Sequence, residues 1–417
     1  MRVFKFGGAS IKNAGAIKNM AEILSTEKFE PLVVVISAIG KTTNAFEDVV
    51  ASYLQKDKVY KQLIFEIKEK HLEIVEELFP NKNNSIYKKI EDLFAQLILY
   101  LSLQKSERYD FVYDQVVGYG ELLSTHIVSS YLSEIGIANQ YRDARKFIKT
   151  DTTNRKAKVD WTNTRINFKK LDRNFKMIIT QGFIGSDNDN FTTTLGREGS
   201  DFTAAIFASC LDAEEVVIWK NVPGILNADP RLFENTVLLE KLSYEEIIEL
   251  SYYGASVIHS KTLKPLQQKD IPLRVKSFID YNKEGTQISS DTKINPLVPN
   301  YIVKKEQTFM ELFSLEYAFI LESAIIEVIK FLKNKGCTIR LVENEALTMY
   351  VCFEDTFAEL DTIRMELKKK FQIRQDKKIN LYTVRHYNNK ALSQFLELGE
   401  VLLKRQTKDT FQIIISS

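Results

Sequence analysis

Histidine, cysteine and tryptophan are scarce in this chain: four, three and two copies among 417 residues. Cys210, Cys337 and Cys352 lie far apart, are odd in number and form no C-x-x-C pair, so neither a disulfide framework nor a thiolate zinc site is indicated, and a reducing compartment fits. His126 and His259 have no partner at ligand spacing and are expected to pack or cap rather than bind metal or relay protons. A charge excess is missing too. The 57 Lys and Arg against 55 Asp and Glu leave a formal +2, too little for a scaffold that neutralises nucleic-acid phosphates, so local charge must do any anion binding. No apolar run is long enough to span a bilayer, and residues 2 to 6 already read as a strand, leaving no room for a leader. The expectation is a soluble, unprocessed, cytoplasmic protein with neither a nucleic-acid nor a membrane partner.

The composition is that of a core-forming chain, 44% hydrophobic and 27% charged, and the length calls for two or three domains. Arg2 to Phe6 is strand-like and runs into Gly7-Gly8. Ile11 to Leu24 has helical spacing, and Pro31 to Ile36 is the continuous β-branched run of a strand covered on both faces. Strand, helix, strand in so few residues is a βαβ start. From about 46 to 110 the chain reads as a charged helical lobe, with Ile86, Ile90, Leu93, Phe94, Leu97, Ile98 and Leu101 on one apolar face. Strands are expected at Lys176 to Ile184 and Glu214 to Trp219, with a helix from Ser200 to Cys210 between them. Past Pro296 and Pro299 the rhythm changes. Thr308 to Leu315, Ala324 to Lys333, Thr338 to Val342, Ala346 to Phe353, Phe357 to Phe371 and Ile379 to Arg385 read as strand, helix, strand, strand, helix, strand, a ferredoxin-like order. Leu392 to Ser416 offers a short helix and a strand pair, less than a second full copy.

Five polar segments carry candidate chemistry. In Lys5-Phe6-Gly7-Gly8-Ala9-Ser10 a glycine pair lets backbone N–H groups approach phosphate oxygens beside a cation; a tight turn with a surface lysine reads equally well. Thr192 to Asp201 is a glycine-containing loop ahead of a helix, and helix N-termini accept anions; Ser200 or Asp201 serves as readily as a plain N-cap, while Arg197 adds a bidentate fork. Gly118-Tyr119-Gly120-Glu121 would bring a carboxylate over the sheet or merely start a helix. Ser37 to Thr43 follows the second strand with hydroxyls and Gly40. Trp219 to Arg231, containing Lys220, Asn221, Gly224, Asp229 and Arg231, is rich in groups that hold a nucleotide.

Taken in order along residues 1 to about 290, these segments resemble the motifs of the aspartokinases in the amino acid kinase family: K-F-G-G-T-S, S-A-x-G-x-T-N, G-E, T-T-T-L-G-R-G-G-S-D and V-P-G-x-x-x-x-D-P-R. The resemblance implies a three-layer α/β/α sandwich with a mainly parallel sheet over residues 1 to 295. It implies for residues 296 to 417 a ferredoxin-like ACT-type regulatory and dimerisation domain whose second unit is reduced, and a homodimer formed through it. The implied reaction moves the γ-phosphoryl group of ATP, with Mg²⁺, to the side-chain carboxylate of L-aspartate, an early step of lysine, threonine and methionine biosynthesis. Lys5, Asp201 and Arg197 would be catalytic, Asp201 near the metal. Ser37, Thr43, Glu121, Phe183 and Arg197 would bind aspartate. Lys5, Gly7, Gly8, Ser10, Gly199, Ser200, Lys220, Asn221, Gly224, Asp229 and Arg231 would bind the nucleotide. The nucleophile is already ionised at neutral pH, since a free Asp side chain has a pKa of about 3.9, so scarce histidine is no obstacle.

Several positions depart from the family's motifs. Ala9 stands for Thr, Glu198 for Gly, Asn221 for Asp, Leu226 for Tyr, and Ser256 for Lys, whose charge Lys220 or Lys261 would then supply. Arg340 replaces an Asp that holds an effector's ammonium, which predicts weak or absent inhibition by lysine. The alternatives are a kinase of another acidic amino acid, or a non-catalytic paralogue that binds nucleotide or amino acid as a regulatory subunit.

Overall fold

Leu32–Ile36 are buried at every position, because this strand has neighbours on both edges and helices on both faces. The computed structural model describes residues 1–26, 30–255, 258–315, 317–355, 359–396 and 398–416. Two compact units divide the chain: one of Met1–Ile225, Leu238–Ile248 and Val257–Pro296, the other of Leu226–Val237, Glu249–Ser256 and Leu297–Ser417.

The first unit, with the stretches that interrupt it, carries strands β1 (Arg2–Phe6), β2 (Leu32–Ile36), β3 (Gln140–Arg142), β4 (Met177–Gln181), β5 (Ile184–Ser186), β6 (Thr192–Thr194), β7 (Glu215–Lys220), β8 (Ile225–Leu226), β9 (Leu238–Leu239), β10 (Lys241–Ser243), β11 (Leu273–Ser277) and β12 (Thr286–Ser289). Its helices are α1 (Ala14–Thr26), α2 (Thr42–Leu54), α3 (Val59–Leu78), α4 (Ser85–Leu103), α5 (Tyr109–Val117), α6 (Tyr119–Glu134), α7 (Trp161–Lys169), α8 (Gly199–Leu211), α9 (Tyr244–Tyr253) and α10 (Ser260–Gln267). Eight strands form one sheet in the order β10-β12-β11-β7-β1-β2-β4-β3, parallel throughout except between β11 and β12. Alternate residues of β1 serve opposite faces. Phe4 and Phe6 join the apolar cluster built with α1 to α6, and Val3, equally buried, points the other way. On the second face α8 lies against β1, β2 and β7. Its Phe207 is fully buried and meets Phe168 edge-on at 4.8 Å. Phe207→Ala is therefore expected to lower the unfolding free energy by about 3–5 kcal/mol in a urea titration. A loss below about 1 kcal/mol would mean that this layer collapses into the hole.

The helix expected from Ile11 begins later. Gly8–Ile11 form a 3-10 turn, and α1 starts at Ala14 after Asn13 accepts the Ala16 N–H. The lobe runs as three long helices, α2 to α4, whose apolar faces join the same cluster.

The second unit contains β13 (Asn300–Ser314), α11 (Glu322–Asn334), β14 (Thr338–Asn344), β15 (Thr348–Glu354), α12 (Leu360–Leu367), β16 (Phe371–Arg385), α13 (Asn389–Leu396), β17 (Val401–Gln406) and β18 (Thr410–Ser416). The order β14-β15-β13-β16 is the ferredoxin-like arrangement, and β18 and β17 extend it to six strands. β13 and β16 run well beyond the expected strands. Each is 15 residues long, and they pair with register shifts between Lys304 and Gln307 and between Glu311 and Leu312. Those bulges break the two-residue alternation that marks a strand, so the charged halves fall outside the expected strands. The helix expected from Phe357 is shorter at Leu360–Leu367; Phe357 lies outside the described residues. Met310, Leu312, Val351 and Phe353 pack with Val328, Leu332 and Ile363 of α11 and α12 in one core, while Val384, Phe411 and Ile413 pack with Ala391 and Phe395 of α13 in another.

Candidate active site

Register decides where the polar loops emerge. Phe6 is level with Ile36 of β2 and Trp219 of β7, so Gly7-Gly8, Ser37 to Gly40 and Lys220 leave the sheet side by side at its carboxyl edge, where ligands of open α/β sheets bind. Two glycines close the gap. A Cβ on Gly8 would stand 2.7 Å from the carbonyls of Ala38 and Gly40, and one on Gly120 would stand 2.9 Å from the Ala38 side chain. The first contact docks the two loops together, and the second presses the start of α6, with Glu121, against them.

The resulting cavity, about 510 Å³, is lined by Lys5, Gly8, Ser37, Thr43, Glu121, Phe183, Arg197, Gly199, Ser200, Asp201 and Lys220 among others. Asp201, in the first turn of α8, is 3% exposed. Its Oδ1 is 2.7 Å from Lys5 Nζ, and its Oδ2 is 3.9 Å from Lys220 Nζ. Burial alone would push this carboxyl up; the two ammonium groups outweigh it and hold Asp201 below the usual carboxylate range. One anion thus fixes two cations at the mouth of a helix N-terminus.

Glu121 is the opposite case. It is 2% exposed, and its Oε1 accepts the Ala38 N–H at 3.3 Å, while Oε2 is buried with no hydrogen-bond partner among the described residues. Burial pushes its carboxyl up to about 8 against the pull of backbone N–H groups and Lys5. A buried carboxylate oxygen with nothing to accept is a ready place for a ligand's N–H donor.

Other site residues fall elsewhere. Ser10 is buried and donates to the Trp219 carbonyl at 3.3 Å, joining the first loop to β7 rather than lining the cavity. Gly7 and Asn221 do not line it, and Gly224 packs at a φ of +153° ahead of Ile225, whose N–H is accepted by Thr286 Oγ1 at 2.8 Å. Asp229 and Arg231 belong to the segment Leu226–Val237 grouped with the second unit, and they pair with each other at 2.6 Å. Ser256 lies outside the described residues. Of the two lysines that would replace its charge, Lys220 faces Asp201, whereas Lys261 donates to the Leu195 carbonyl at 2.5 Å and lines a different cavity. Glu198 adopts the left-handed conformation at φ +52°, where the family's motif has Gly, and its Oε2 accepts the His259 N–H at 2.7 Å. His259 caps α10 by accepting the Lys261 N–H, and His126 stacks on Tyr141 at 4.1 Å.

Tyr113, Arg155 and Lys156 also line the cavity and carried no motif. Arg155 arrives there because its N–H reaches buried Asp114 at 3.0 Å, and its guanidinium lies 4.8 Å over the Tyr113 ring.

A mainly parallel α/β sheet whose carboxyl edge holds glycine loops and two lysines on one aspartate defines a class, and the chain belongs to it: the amino acid kinase family, whose profile matches residues 1–277. The relatives it resembles are aspartokinases. It is 31% identical to the lysine-sensitive aspartokinase 3 of Escherichia coli over 85% of this chain and 78% of that one. It is 29% identical to the chloroplastic bifunctional aspartokinase/homoserine dehydrogenase 2 of Arabidopsis thaliana over 88% of this chain, spanning only 42% of that longer protein. The solved structure of E. coli aspartokinase III in complex with aspartate and ADP superposes with a TM-score of 0.81 at 27% identity, covering 100% of this chain and 96% of that one.

Proposed function

We propose that this chain is an ATP-dependent kinase that phosphorylates the side-chain carboxylate of L-aspartate. The observation that carries the reading is the Lys5–Asp201–Lys220 cluster, with Lys5 and Asp201 buried, in one cavity with Glu121 and Arg197. The E. coli neighbour holds aspartate and ADP, which supports this pair of ligands.

In this mechanism the substrate's ammonium faces Glu121 and its α-carboxylate faces Arg197, with Ser37 and Thr43 donating hydroxyls. That leaves the side-chain carboxylate aimed at the γ-phosphorus. An oxygen lone pair forms the new O–P bond, the bond to the β-phosphate oxygen breaks, and ADP leaves with its electron pair. No general base is needed. The obstacle is repulsion between two anions, about 4 kcal/mol per charge pair at about 4 Å and an effective dielectric of about 20. Lys5, Lys220 and the α8 N-terminus at Gly199 and Ser200 offset it. The residues fit a Mg²⁺ that arrives on the nucleotide. Among the described residues no three acidic, His or Cys side chains gather to hold a bare ion, while Asp201 offers the single carboxylate that phosphate-borne Mg²⁺ requires. Asp201 would hold the ion, which supplies further neutralisation of the transferring phosphoryl group.

The direct test is purified protein with Mg-ATP, aspartate and hydroxylamine. Aspartyl hydroxamate is expected. No product with aspartate or glutamate, together with measurable nucleotide binding, overturns the reading in favour of a non-catalytic paralogue. Lys220→Ala is expected to raise KM for ATP about tenfold, the cost of one charge-assisted contact to phosphate; an unchanged KM removes Lys220 from the site.

The second unit is proposed as an ACT-type regulatory and dimerising module. Arg340 pairs with Glu354 at 2.5 Å, so neither side chain offers a free anion to an effector's ammonium. Millimolar lysine is accordingly expected to leave the rate unchanged, and strong inhibition would refute this.

A further inference from the structure

A second cavity, about 640 Å³, adjoins the first; Lys156, Gly196 and Arg197 line both, and of the second cavity's lining only Arg197 takes part in the proposed reaction. Lys158 and Lys261 bring its lining to four cations, and no carboxylate lines it among the described residues. Like charges gathered around a concavity raise the local concentration of anions.

Lys261 is the informative one. Its ammonium is half-buried, donates to the Leu195 carbonyl at 2.5 Å and lies 5.6 Å over the Phe202 ring. A neutral oxygen and a ring face hold it. The nearby Glu198 carboxylate lines the other cavity, and its Oε2 is committed to the His259 N–H. Burial therefore holds Lys261 below the usual lysine range, with Glu198 opposing only partly. A cation kept in such a place gains most from an anionic ligand that completes its coordination.

The apolar side of the cavity is aromatic. Trp161, at the start of α7, and Phe202, in α8, meet edge to face with centroids 6.4 Å apart. Both are half-buried and line the space, offering ring surface to a planar group. We propose that this cavity is a second ligand site, for a small anion bearing a planar ring, with the ring beside Trp161 and Phe202 and the phosphate or carboxylate at Lys158 and Lys261.

Tryptophan fluorescence tests this on the full chain without ATP or aspartate, so the outcome does not depend on the kinase reading. Trp161 and Trp219 are the two tryptophans, and Trp219 is fully buried. Phenyl phosphate and benzoate are titrated separately, with inorganic phosphate as the ringless control. The expected result is a saturable change with at least one ring-bearing anion, about tenfold tighter than inorganic phosphate, lost in Trp161→Phe and weakened about tenfold by Lys158→Ala. The tighter of the two identifies the head group as phosphate or carboxylate. Lys158 is exposed, so its replacement keeps the fold; Lys261→Met should weaken binding further. The proposal is overturned by no saturable change, by equal affinity for inorganic phosphate, or by binding that Lys158→Ala leaves undiminished.

Discussion

Lys5→Ala is expected to lower kcat about a thousandfold. The estimate follows from the charge it removes: about 4 kcal/mol of anion repulsion left uncompensated, at about 1.36 kcal/mol per decade of rate. Structure and catalysis are coupled here, because Lys5 is also the nearer partner of Asp201, at 2.7 Å against 3.9 Å for Lys220. Removing one member of a buried pair typically costs about 3–5 kcal/mol, and the remaining Lys220 places this variant toward the low end. Equilibrium unfolding in urea therefore has to accompany the rate measurement. Asp201→Asn leaves no unpaired buried anion but takes the carboxylate from Lys5, itself 9% exposed, so a comparable stability loss is expected, and kcat should fall as well. Lys5→Ala retaining more than a tenth of the wild-type kcat would remove Lys5 from phosphoryl transfer, however unstable the variant proved.

Lys5, Glu121, Arg197 and Asp201 were legible in the sequence because each belongs to a short motif whose glycines and flanking strand announce a turn at a sheet edge. Phe183 was legible only through the family resemblance. Tyr113, Arg155 and Lys156 were not legible, and the reason is tertiary. Arg155 faces the cavity only because Asp114, 41 residues earlier, accepts its N–H and also accepts from Thr194 Oγ1 at 2.6 Å. Nothing local in Asn154-Arg155-Lys156 encodes that hydrogen bond. Ser10 goes the opposite way: the motif puts its hydroxyl in a phosphate-type loop, and the fold has it donate to the Trp219 carbonyl. The same contrast holds for the fold. The fully buried β2 shows in five consecutive apolar residues, whereas the long pairing of β13 with β16 depends on bulges that only the partner strand fixes. Glu198 carries the sharpest lesson. Its left-handed backbone preserves the geometry of a glycine position while its side chain reaches His259, a contact that residue type alone does not foretell.

The second large effect is a pH dependence centred on Glu121. Without ligand its carboxyl is pushed up to about 8, so at neutral pH it is mostly protonated. An ammonium needs the carboxylate, so binding aspartate must expel that proton. KM for aspartate should then fall about tenfold between pH 6 and 7 and about fivefold between pH 7 and 8, and binding at pH 7 should release close to one proton to buffer. Glu121→Gln removes both behaviours and should raise KM about a hundredfold or more, since the ammonium would sit against a neutral amide. Stability runs the other way. The folded-state pKa lies above the ordinary glutamate value of 4.5, so the folded protein holds this proton more tightly than the unfolded chain. Glu121 thus contributes stability that is complete below about 4.5 and is lost as pH rises through about 8. Ligand-free Glu121→Gln should accordingly gain Tm relative to wild type as pH is raised from 6 to 9, although it binds aspartate worse at every pH. Parallel Tm curves across that range, or a KM for aspartate flat between pH 6 and 8, would show that Glu121 is already ionised in the free protein and would remove the proton from the binding step.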